Sequence, residues 1–486
     1  MSAAAVRAMA RADELAACSE RPGEITRRYG TPALVAARDL LEAWMLEAGL
    51  RTRVDRAGNL IGTLGREDRP GIMIGSHFDS VVDAGRYDGT LGVLLAIGCA
   101  EELAGADPAH DLAVVAFCDE EGARFPTDYF GSRAFLGGAL PDGALTDSEG
   151  ATLASGIETA GNAAAGPGSG LPANATAYLE AHIEQGPVLE AAGHPLGIVT
   201  SITGGVKLTV TLTGTAGHAG TVPMSLRRDA FSAAAEIALE AERAARDDGE
   251  AVATVGQVAV SPGAANVIPG RATISIDLRH QDDDRRARLL GRVREIVAEV
   301  ARRRGVDAGI EIIHDERSVA CDPGLGERMR AAARGLGLDP PALPSGAGHD
   351  AVILSAHVPV AMLFLRCAGG ISHNPTESVT TEDDAAALAV LTAVVGDPSA
   401  HDGRPVPHRV LRRPGRRLPP HLRRLGRGDR VAGRRHHRPA ARPRGDVRHG
   451  AGRYLRDRHA GARPRAGRLL GHGHRRQPGV GRALRA

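Results

Sequence analysis

The stretch GSHFDSVVDAGRYDG at residues 75–89, followed by AFCDEEGARF at 116–125, is the part of the chain around which the rest is arranged. It contains a histidine and an aspartate two residues apart, a second aspartate, and a pair of adjacent glutamates. These side chains are His77, Asp79, Asp88, Glu120 and Glu121. Imidazole and carboxylate groups hold divalent cations in proteins and deprotonate water beside them. The pattern therefore predicts a metal-dependent hydrolase.

The glutamate pair follows the apolar run DLAVVAF at 111–117, which has strand length and carries no charge after its first residue. Such runs are typical of a central strand covered on both faces, and ligands collect beyond the carboxyl ends of these strands. Two adjacent carboxylates at that edge repel one another unless a cation or a proton neutralises them. A solvated strand end is the alternative interpretation. His182 in EAHIEQG and His373 in GGISHNPTE also flank apolar runs, and together the candidates favour one shared site.

Composition sets the outer limits of this interpretation. A chain of 486 residues with 43% hydrophobic content is long enough for two structured domains. Its five cysteines are scattered without CxxC spacing, which favours free thiols in a reducing compartment. The first twenty residues lack an uninterrupted apolar core, and no window reaches eighteen apolar residues. We therefore expect a cytoplasmic protein with no membrane partner.

The hydrophobic pattern changes after residue 204. VKLTVTLTG at 206–214 and RATISIDLRH at 271–280 alternate apolar and polar residues, which predicts half-exposed antiparallel strands. Helices are predicted over 225–246 and 282–304. This is an α+β domain inserted into a larger α/β domain. The predicted parts are a catalytic domain at 1–204 and 319–400, an inserted lid domain at 205–318, and a tail at 401–486.

The inserted domain also predicts a homodimer. Its two alternating strands offer one apolar face to their own helices, and the domain is too small to close into a barrel. An edge strand is therefore left open, and pairing it with its copy across a two-fold axis satisfies the backbone groups.

The tail at 401–486 holds 26 of the 60 basic residues and four acidic ones, which leaves 34 basic against 54 acidic residues in 1–400. With few apolar residues and a large charge excess it cannot offset its chain entropy, so we predict disorder. A nucleic-acid-binding arm is one possible function. The absence of Lys and the single aromatic, Tyr454, argue against it, and nucleic acid is not expected as a partner. Out-of-frame translation of GC-rich sequence is the alternative, and removal of the tail should then leave folding and activity intact.

Nine motifs in one order resemble the amidase branch of the M20 metallopeptidase family, which includes allantoate amidohydrolases, N-carbamoyl-L-amino acid hydrolases and β-ureidopropionases. The resemblance covers residues 23–395. The motifs are GSHFDSV, GRYDGTLGV, DEEGARF, EAHIEQG, GTAGHAGTVPM, NVIPG, DLR, SGAGHDA and GGISHNPTE. The fold that this resemblance implies is a mixed-sheet α/β metallohydrolase domain with an inserted α+β dimerisation domain.

The resemblance also implies two divalent cations per subunit. The implied ligands are His77 and His182 for one cation, Glu121 and His373 for the other, and Asp88 as the bridge between them. Asp79 would accept a hydrogen bond from His77 and fix its tautomer, and Glu120 would be the general base. Mn²⁺ or Zn²⁺ suits this mixture of imidazole and carboxylate, and Co²⁺ or Ni²⁺ is compatible with it.

The substrate implied is a small ureido compound with a carboxylate. The implied substrate contacts are Gln185, Asn266, Arg279 and the backbone of Gly369 and Gly370. Arg279 suits a carboxylate because its planar fork matches two parallel hydrogen bonds, and a surface ion pair is the alternative role. His218 resembles the family histidine that reaches across a dimer interface as an oxyanion donor.

The segment GGISHNPTE, preceded by MLFLRC, is more similar to allantoate amidohydrolases than to carbamoylases. The expected reaction is cleavage of a ureido C–N bond of allantoate to ureidoglycine, ammonia and carbon dioxide. Hydrolysis of N-carbamoyl-L-amino acids or of β-ureidopropionate is the alternative.

Overall fold

The structure is a computed structural model that describes residues 2–66, 69–106, 108–165 and 170–397. The Arg-rich tail at 401–486 lies outside the described residues. The predicted disorder of the tail and its nucleic-acid-binding alternative therefore both concern residues that are not described. Within the described ranges, no helix combines the length and the apolar character needed to cross a membrane.

The described residues form α-helices and β-strands that alternate along most of the chain. The helices are α1 (Ala3–Ala16), α2 (Pro32–Glu47), α3 (Thr90–Leu103), α4 (Phe130–Phe135), α5 (Leu153–Ala160), α6 (Val188–Ala192), α7 (Ala230–Asp248), α8 (Asp283–Arg304), α9 (Pro323–Gly335), α10 (Ala351–Leu354) and α11 (Thr381–Gly396). The strands are β1 (Arg51–Val54), β2 (Leu60–Leu64), β3 (Gly71–His77), β4 (Asp111–Phe117), β5 (Ala175–Ile183), β6 (Leu196–Ile202), β7 (Gly204–Thr213), β8 (Gly217–His218), β9 (Val252–Thr254), β10 (Val258–Ser261), β11 (Val267–Ile268), β12 (Arg271–His280), β13 (Asp307–Glu316), β14 (Val319–Ala320), β15 (Ala342–Ser345) and β16 (Val360–Leu365).

The larger sheet has the strand order β1-β2-β4-β3-β5-β16-β6-β14, with β15 paired to β6. Its centre is parallel: β3 lies between β4 and β5, and β5 also pairs in parallel with β16. The flanks are antiparallel, with β1, β2 and β4 on one side and β16, β6 and β14 on the other. The carboxyl ends of the parallel strands therefore meet at one edge, which is where the predicted ligands fall. The expected mixed-sheet α/β fold is confirmed.

Both faces of this sheet are covered. Every residue of β4 is buried, and its side chains alternate between two hydrophobic cores. Val114 and Ala116 pack into the core that holds α1, α3 and α11, whereas Val115 and Phe117 pack into the core that holds α10. A continuous apolar run is thus required at this position, as the sequence indicates.

The second sheet has the order β10-β12-β7-β13, with β9 also paired to β12, and all of its pairs are antiparallel. Its apolar face forms a separate core with α7 and α8. The side chain of Asp282 caps α8 by accepting from the backbone N–H of Arg285, and Gly305 ends the helix in a left-handed conformation. The predicted strands and helices of this region are confirmed.

One expectation about this sheet needs correction. The sequence indicated that one of the two alternating strands is an open edge, but β7 lies between β12 and β13, and β12 lies between β7 and β10. The edges within the described residues are β13 on one side and β9 and β10 on the other. Pairing between copies through this sheet would therefore use one of these strands.

Candidate metal centre

The predicted ligands come together at the carboxyl edge of the larger sheet. His77 is the last residue of β3, His182 is the last but one of β5, and the glutamate pair follows β4. Asp88 precedes α3, and His373 follows a 3₁₀ turn at Ala368–Gly370. The cluster contains three sets of three residues, and within each set the ligand atoms lie within 4.8 Å of one another. The sets are His77–Asp88–His182, Asp88–Glu121–His373 and His77–Glu120–Glu121.

Asp88 occupies the middle of this arrangement. Its Oδ1 lies 3.2 Å from His182 Nε2 and 3.7 Å from His77 Nε2. Its Oδ2 lies 3.1 Å from His373 Nε2, which is itself 3.4 Å from Glu121 Oε1. The two oxygens of one carboxylate thus face two different sets of donors. That is the geometry needed for an aspartate to serve two neighbouring cations.

The charges of the cluster are strongly coupled. Burial by itself would raise the pKa of Asp88, but hydrogen bonds from His182 and His373 hold it well below its ordinary value. The same contacts with Asp88 and Glu121 raise the pKa of His373 to about 10. Burial would lower the pKa of His77, but Asp79, Glu120 and Asp88 raise it well above the usual range. The carboxylates therefore draw positive charge to this site, either as protons on the histidines or as a bound cation in their place.

Asp79 does more than the sequence indicates. It is 1% exposed, and its Oδ1 lies 3.5 Å from His77 Nδ1. Its two carboxylate oxygens also accept hydrogen bonds from the backbone N–H groups of Glu120 at 3.1 Å and Glu121 at 3.3 Å. Asp79 thus holds the glutamate pair through its carboxylate, and it contacts the histidine through that carboxylate and through its backbone carbonyl, which lies 3.3 Å from His77 Nδ1.

Burial raises the pKa of the Glu120 carboxyl well above its ordinary value, and the negative charges of Glu121, Asp350 and Asp79 act in the same direction. The charge of His77 opposes this rise. A carboxyl with a raised pKa is suited to accepting and returning a proton. These features separate Glu120 from Glu121, whose Oε1 faces His373.

The structure adds two residues that the sequence did not assign, although both stand in the motif GGISHNPTE. Ser372 Oγ donates to Asp88 Oδ2 at 3.0 Å. Glu377 is 4% exposed, and its Oε1 accepts from the backbone N–H groups of Tyr87 at 2.8 Å and Asp88 at 3.1 Å. The sequence signal for Glu377 was that the one carboxylate of this motif stands four residues after His373. Its contact with a loop 290 residues away is visible only in the fold.

Gln185 and the two glycines lie beside the cluster. Gln185 Nε2 donates to both oxygens of Asp88, at 3.2 and 3.1 Å, so its amide contacts the candidate bridge. Gly370 has a φ of 65°, and a side chain there would collide with the backbone of Gly186. Gly369 donates its N–H to Glu190 Oε2 at 2.8 Å.

His218 and Asn266 are brought together elsewhere: His218 ends β8, and Asn266 precedes β11, whose Val267 pairs with His218. Ala219 N–H donates to Asn266 O at 2.9 Å, and both His218 and Asn266 are exposed. In the part of the chain that the structure describes, neither forms a hydrogen bond or ion pair with the predicted metal ligands.

Arg279 forms the ion pair that was the alternative to its substrate role. Its Nε and Nη2 bind the two oxygens of Asp277 at 3.1 and 2.9 Å, and its Nη1 donates to Gly346 O at 2.7 Å. The contact with Gly346 joins β12 to the loop of the motif SGAGHDA. The side chain is 36% exposed, so further N–H groups of its fork face solvent.

This fold and cluster define a family. The chain matches the model of peptidase family M20/M25/M40 over residues 73–397 and belongs to that family. It is similar to allantoate deiminase 1 of Glycine max, with 39% identity over 79% of this chain and 88% of that one. It is also similar to an N-carbamoyl-L-amino acid amidohydrolase of Geobacillus stearothermophilus, with 41% identity over 78% of this chain and 94% of that one.

Among solved structures, an amidase of the hydantoinase/carbamoylase family from Burkholderia multivorans superposes with a TM-score of 0.76 at 35% identity. It covers 83% of this chain and 98% of its own. The resemblance to the amidase branch is therefore confirmed, and so is the expectation of a hydrolase that acts on C–N bonds. The donor set of histidine and carboxylate groups fits a divalent cation, and this cluster is a candidate metal site.

Proposed function

We propose that this chain is an amidohydrolase that uses two divalent cations to cleave a ureido C–N bond of allantoate, giving ureidoglycine, ammonia and carbon dioxide. The observation that carries the proposal is the position of Asp88, whose two oxygens face two separate donor sets. Relatives of this chain that cover most of its length are named allantoate deiminases.

In this proposal the two donor sets hold one cation each. His77 and His182 complete the first set, Glu121 and His373 complete the second, and Asp88 belongs to both. Mn²⁺ or Zn²⁺ is the proposed ion, since both accept mixed imidazole and carboxylate ligands, and Co²⁺ or Ni²⁺ is compatible with the same donors. Bound there, the cations would supply Lewis-acid polarisation of the ureido carbonyl and ready deprotonation of a water molecule.

Glu120 is the proposed general base. It accepts a proton from the attacking water and returns it to the departing nitrogen, so that ammonia leaves and the carbamate left behind loses carbon dioxide. Its raised pKa lets it hold the proton between these two steps. Asp79 keeps Glu120 in position through the backbone N–H of that residue. The role of Asp79 is therefore orientation of the base as well as of His77.

Arg279 and Asn266 are the proposed partners of the substrate carboxylate, and His218 is the proposed oxyanion donor. Gln185 and the backbone of Gly369 and Gly370 are proposed to line the same cleft. Because His218 and Asn266 are exposed and form no hydrogen bond or ion pair with the described metal ligands of their own chain, we propose that they complete the site of a second copy in a homodimer. The edge strands β10 and β13 carry exposed apolar side chains, Val258 and Ile313, which favour such a contact.

The proposed domain boundaries follow the two sheets. Residues 205–318 carry the second sheet and its separate core, and residues 1–204 and 319–400 form the metal-binding domain. The boundary between residues 318 and 319 is supported by β14, which begins at Val319 and pairs with β6 of the larger sheet. Residues 398–400 lie outside the described part of the chain.

A second candidate function is hydrolysis of N-carbamoyl-L-amino acids, or of the related β-ureidopropionate. It is favoured by the 41% identity to an N-carbamoyl-L-amino acid amidohydrolase. These substrates share the ureido group and the carboxylate with allantoate and differ in the third substituent. The metal cluster serves either chemistry, so the discrimination must come from other residues of the cleft.

The test is a substrate panel. Initial rates of ammonia release are measured with allantoate, N-carbamoyl-L-leucine, β-ureidopropionate and ureidoglycolate, with the protein saturated in turn with Mn²⁺, Zn²⁺, Co²⁺ or Ni²⁺. The proposal expects the highest kcat/KM with allantoate. A kcat/KM for N-carbamoyl-L-leucine that exceeds the value for allantoate would establish the second candidate instead.

A further inference from the structure

Tyr129 stands out among the residues around the glutamate pair. Its backbone is left-handed, with φ 54° and ψ 39°, just before α4 begins. A bulky residue rarely adopts this conformation, which is strained for any side chain with a Cβ. Strain of this kind persists where the surroundings fix it, and it concentrates at functional sites. The backbone N–H of Tyr129 donates to Glu120 O at 3.4 Å, so the strained residue is tied to the proposed general base.

The side chain of Tyr129 is directed to the loop of the motif SGAGHDA. A Cβ added at Gly348 would overlap the Tyr129 hydroxyl, so the glycine leaves room for the phenol. The next residue, His349, packs edge-on against the metal-ligand candidate His182, with ring centroids 4.5 Å apart. Gly346 in the same loop accepts the hydrogen bond from Arg279. The hydroxyl therefore lies beside a loop that also contacts His182 and Arg279.

Buried tyrosines normally use their hydroxyl in a hydrogen bond. Tyr129 is 7% exposed, and its hydroxyl has no hydrogen-bond partner among the described residues, although its oxygen is not completely shielded from solvent. Burial raises the pKa of this phenol, and the negative charges of Glu120 and Glu316 act in the same direction, so it stays protonated. Arg133 lies over the ring, with its guanidinium carbon 5.9 Å from the ring centroid. The result is a fixed hydrogen-bond donor without a protein partner.

We propose that Tyr129 is a specificity-determining residue whose hydroxyl binds the second, non-reacting ureido group of allantoate. This inference rests on the proposed function. In that function the reacting ureido group lies at the metal cluster and the carboxylate at Arg279. We assign the third substituent to Tyr129 and the loop around Gly348, because this loop contacts both His182 and Arg279. A ureido group offers both a carbonyl and N–H groups to a phenol, whereas the alkyl side chain of a carbamoyl amino acid offers neither.

The test compares Tyr129→Phe with the wild-type protein, because this change removes the hydroxyl and keeps the ring. We expect kcat/KM for allantoate to fall by about 10- to 100-fold, mainly through KM, because a site built to bind a polar group loses that contact. For N-carbamoyl-L-leucine we expect a change of less than about threefold. Bound metal per subunit, measured by elemental analysis, should be unchanged.

Two further variants keep the test independent of folding. Tyr29 is fully buried and its hydroxyl donates to Ala57 O at 2.7 Å, so Tyr29→Phe is the matched control. It should lower the melting temperature without altering the ratio of the two kcat/KM values. Gly348→Ala should displace the Tyr129 hydroxyl and reproduce the selective loss with allantoate, and the same change should add little once Tyr129 is Phe.

Three outcomes would overturn the inference. An unchanged kcat/KM for allantoate in Tyr129→Phe would show that the hydroxyl makes no productive contact. An equal loss with both substrates would place the hydroxyl on a group that the two share, which contradicts a role in specificity. Wild-type protein that releases ammonia from N-carbamoyl-L-leucine and not from allantoate would refute the proposed function itself, and that result is visible before any variant is made.

Discussion

The division of labour between the two adjacent glutamates gives a sharp prediction. Glu120→Gln preserves shape and removes the negative charge. Two of the three candidate donor sets do not include Glu120, whereas Glu121 belongs to two of the three. The Glu120→Gln protein should therefore keep both cations while kcat falls by about 10² to 10⁴, which corresponds to about 3 to 5.5 kcal/mol of activation free energy.

The Glu121→Gln protein should behave differently. Its Oε1 lies 3.4 Å from His373 Nε2, so the change removes a charged donor from the second set. Metal affinity should drop by more than the 10- to 100-fold that is typical of losing a residue that merely supports a ligand. High concentrations of Mn²⁺ or Zn²⁺ should restore part of the activity in this variant and none in Glu120→Gln.

The assay pairs metal content per subunit, measured by elemental analysis after dialysis, with ammonia release from allantoate. Glu184→Gln is a matched control. Its carboxylate accepts from the backbone N–H groups of Val188 and Leu189 and belongs to none of the candidate donor sets within the described residues. It should keep both metal and activity. If Glu120→Gln loses metal while Glu121→Gln keeps it, the two roles have been assigned the wrong way round.

Three further predictions concern a buried carboxyl in α11, the loop that carries Asp88, and the proposed dimer. Burial raises the pKa of Asp384 to about 7, so between about pH 4 and pH 7 the unfolded chain loses a proton that the folded chain retains, and the fold is increasingly destabilised. Asp384→Asn should therefore raise the free energy of unfolding, measured in urea titrations, by about 3 kcal/mol more at pH 8 than at pH 5. Equal gains at both pH values would contradict this. Glu377→Ala should weaken metal binding in calorimetric titrations of the metal-free protein, because the backbone N–H groups of Tyr87 and Asp88 lose their acceptor. Glu377→Gln keeps an acceptor oxygen and should keep the metal affinity. Equal affinities of the two variants would contradict this role. Mixing His218→Ala subunits with Glu120→Gln subunits should restore partial activity, because one site of each mixed dimer then combines an intact Glu120 with an intact His218 from the other subunit. Mixed dimers without activity would show that His218 does not act in the site of the neighbouring subunit.

Much of the fold was predictable because its strands have simple patterns. The run DLAVVAF predicts a strand buried on both faces, and β4 is buried throughout. The alternation in RATISIDLRH predicts a half-exposed strand, and β12 alternates along its full length. These patterns arise from local periodicity and burial, which a sequence displays directly.

The edge of the second sheet was not predictable in the same way. β13 is one of its edges, but a register shift between Ile312 and His314 interrupts its alternation. A bulge of this kind moves later side chains to the other face, so the period of two is lost. Without β13 and β10, the two regular strands looked like the whole sheet.

The site shows a similar division. The metal-ligand candidates stand in recognisable motifs at the ends of apolar runs, and the fold brings all of them together. The pairing of Arg279 with Asp277 could have been expected more strongly, because residues two apart on a strand share a face. The contact of Glu377 with the loop around Asp88 and the left-handed backbone of Tyr129 could not be predicted, because both depend on contacts between distant parts of the chain.

The most direct test of the account is a metal titration of the stripped protein. Mn²⁺ or Zn²⁺ is added in steps to metal-free protein, and ammonia release from allantoate is measured at each step together with bound metal. The account predicts that activity disappears on stripping and reaches its plateau at two equivalents of metal per subunit. Activity that survives stripping, or that reaches its plateau at one equivalent, would contradict it.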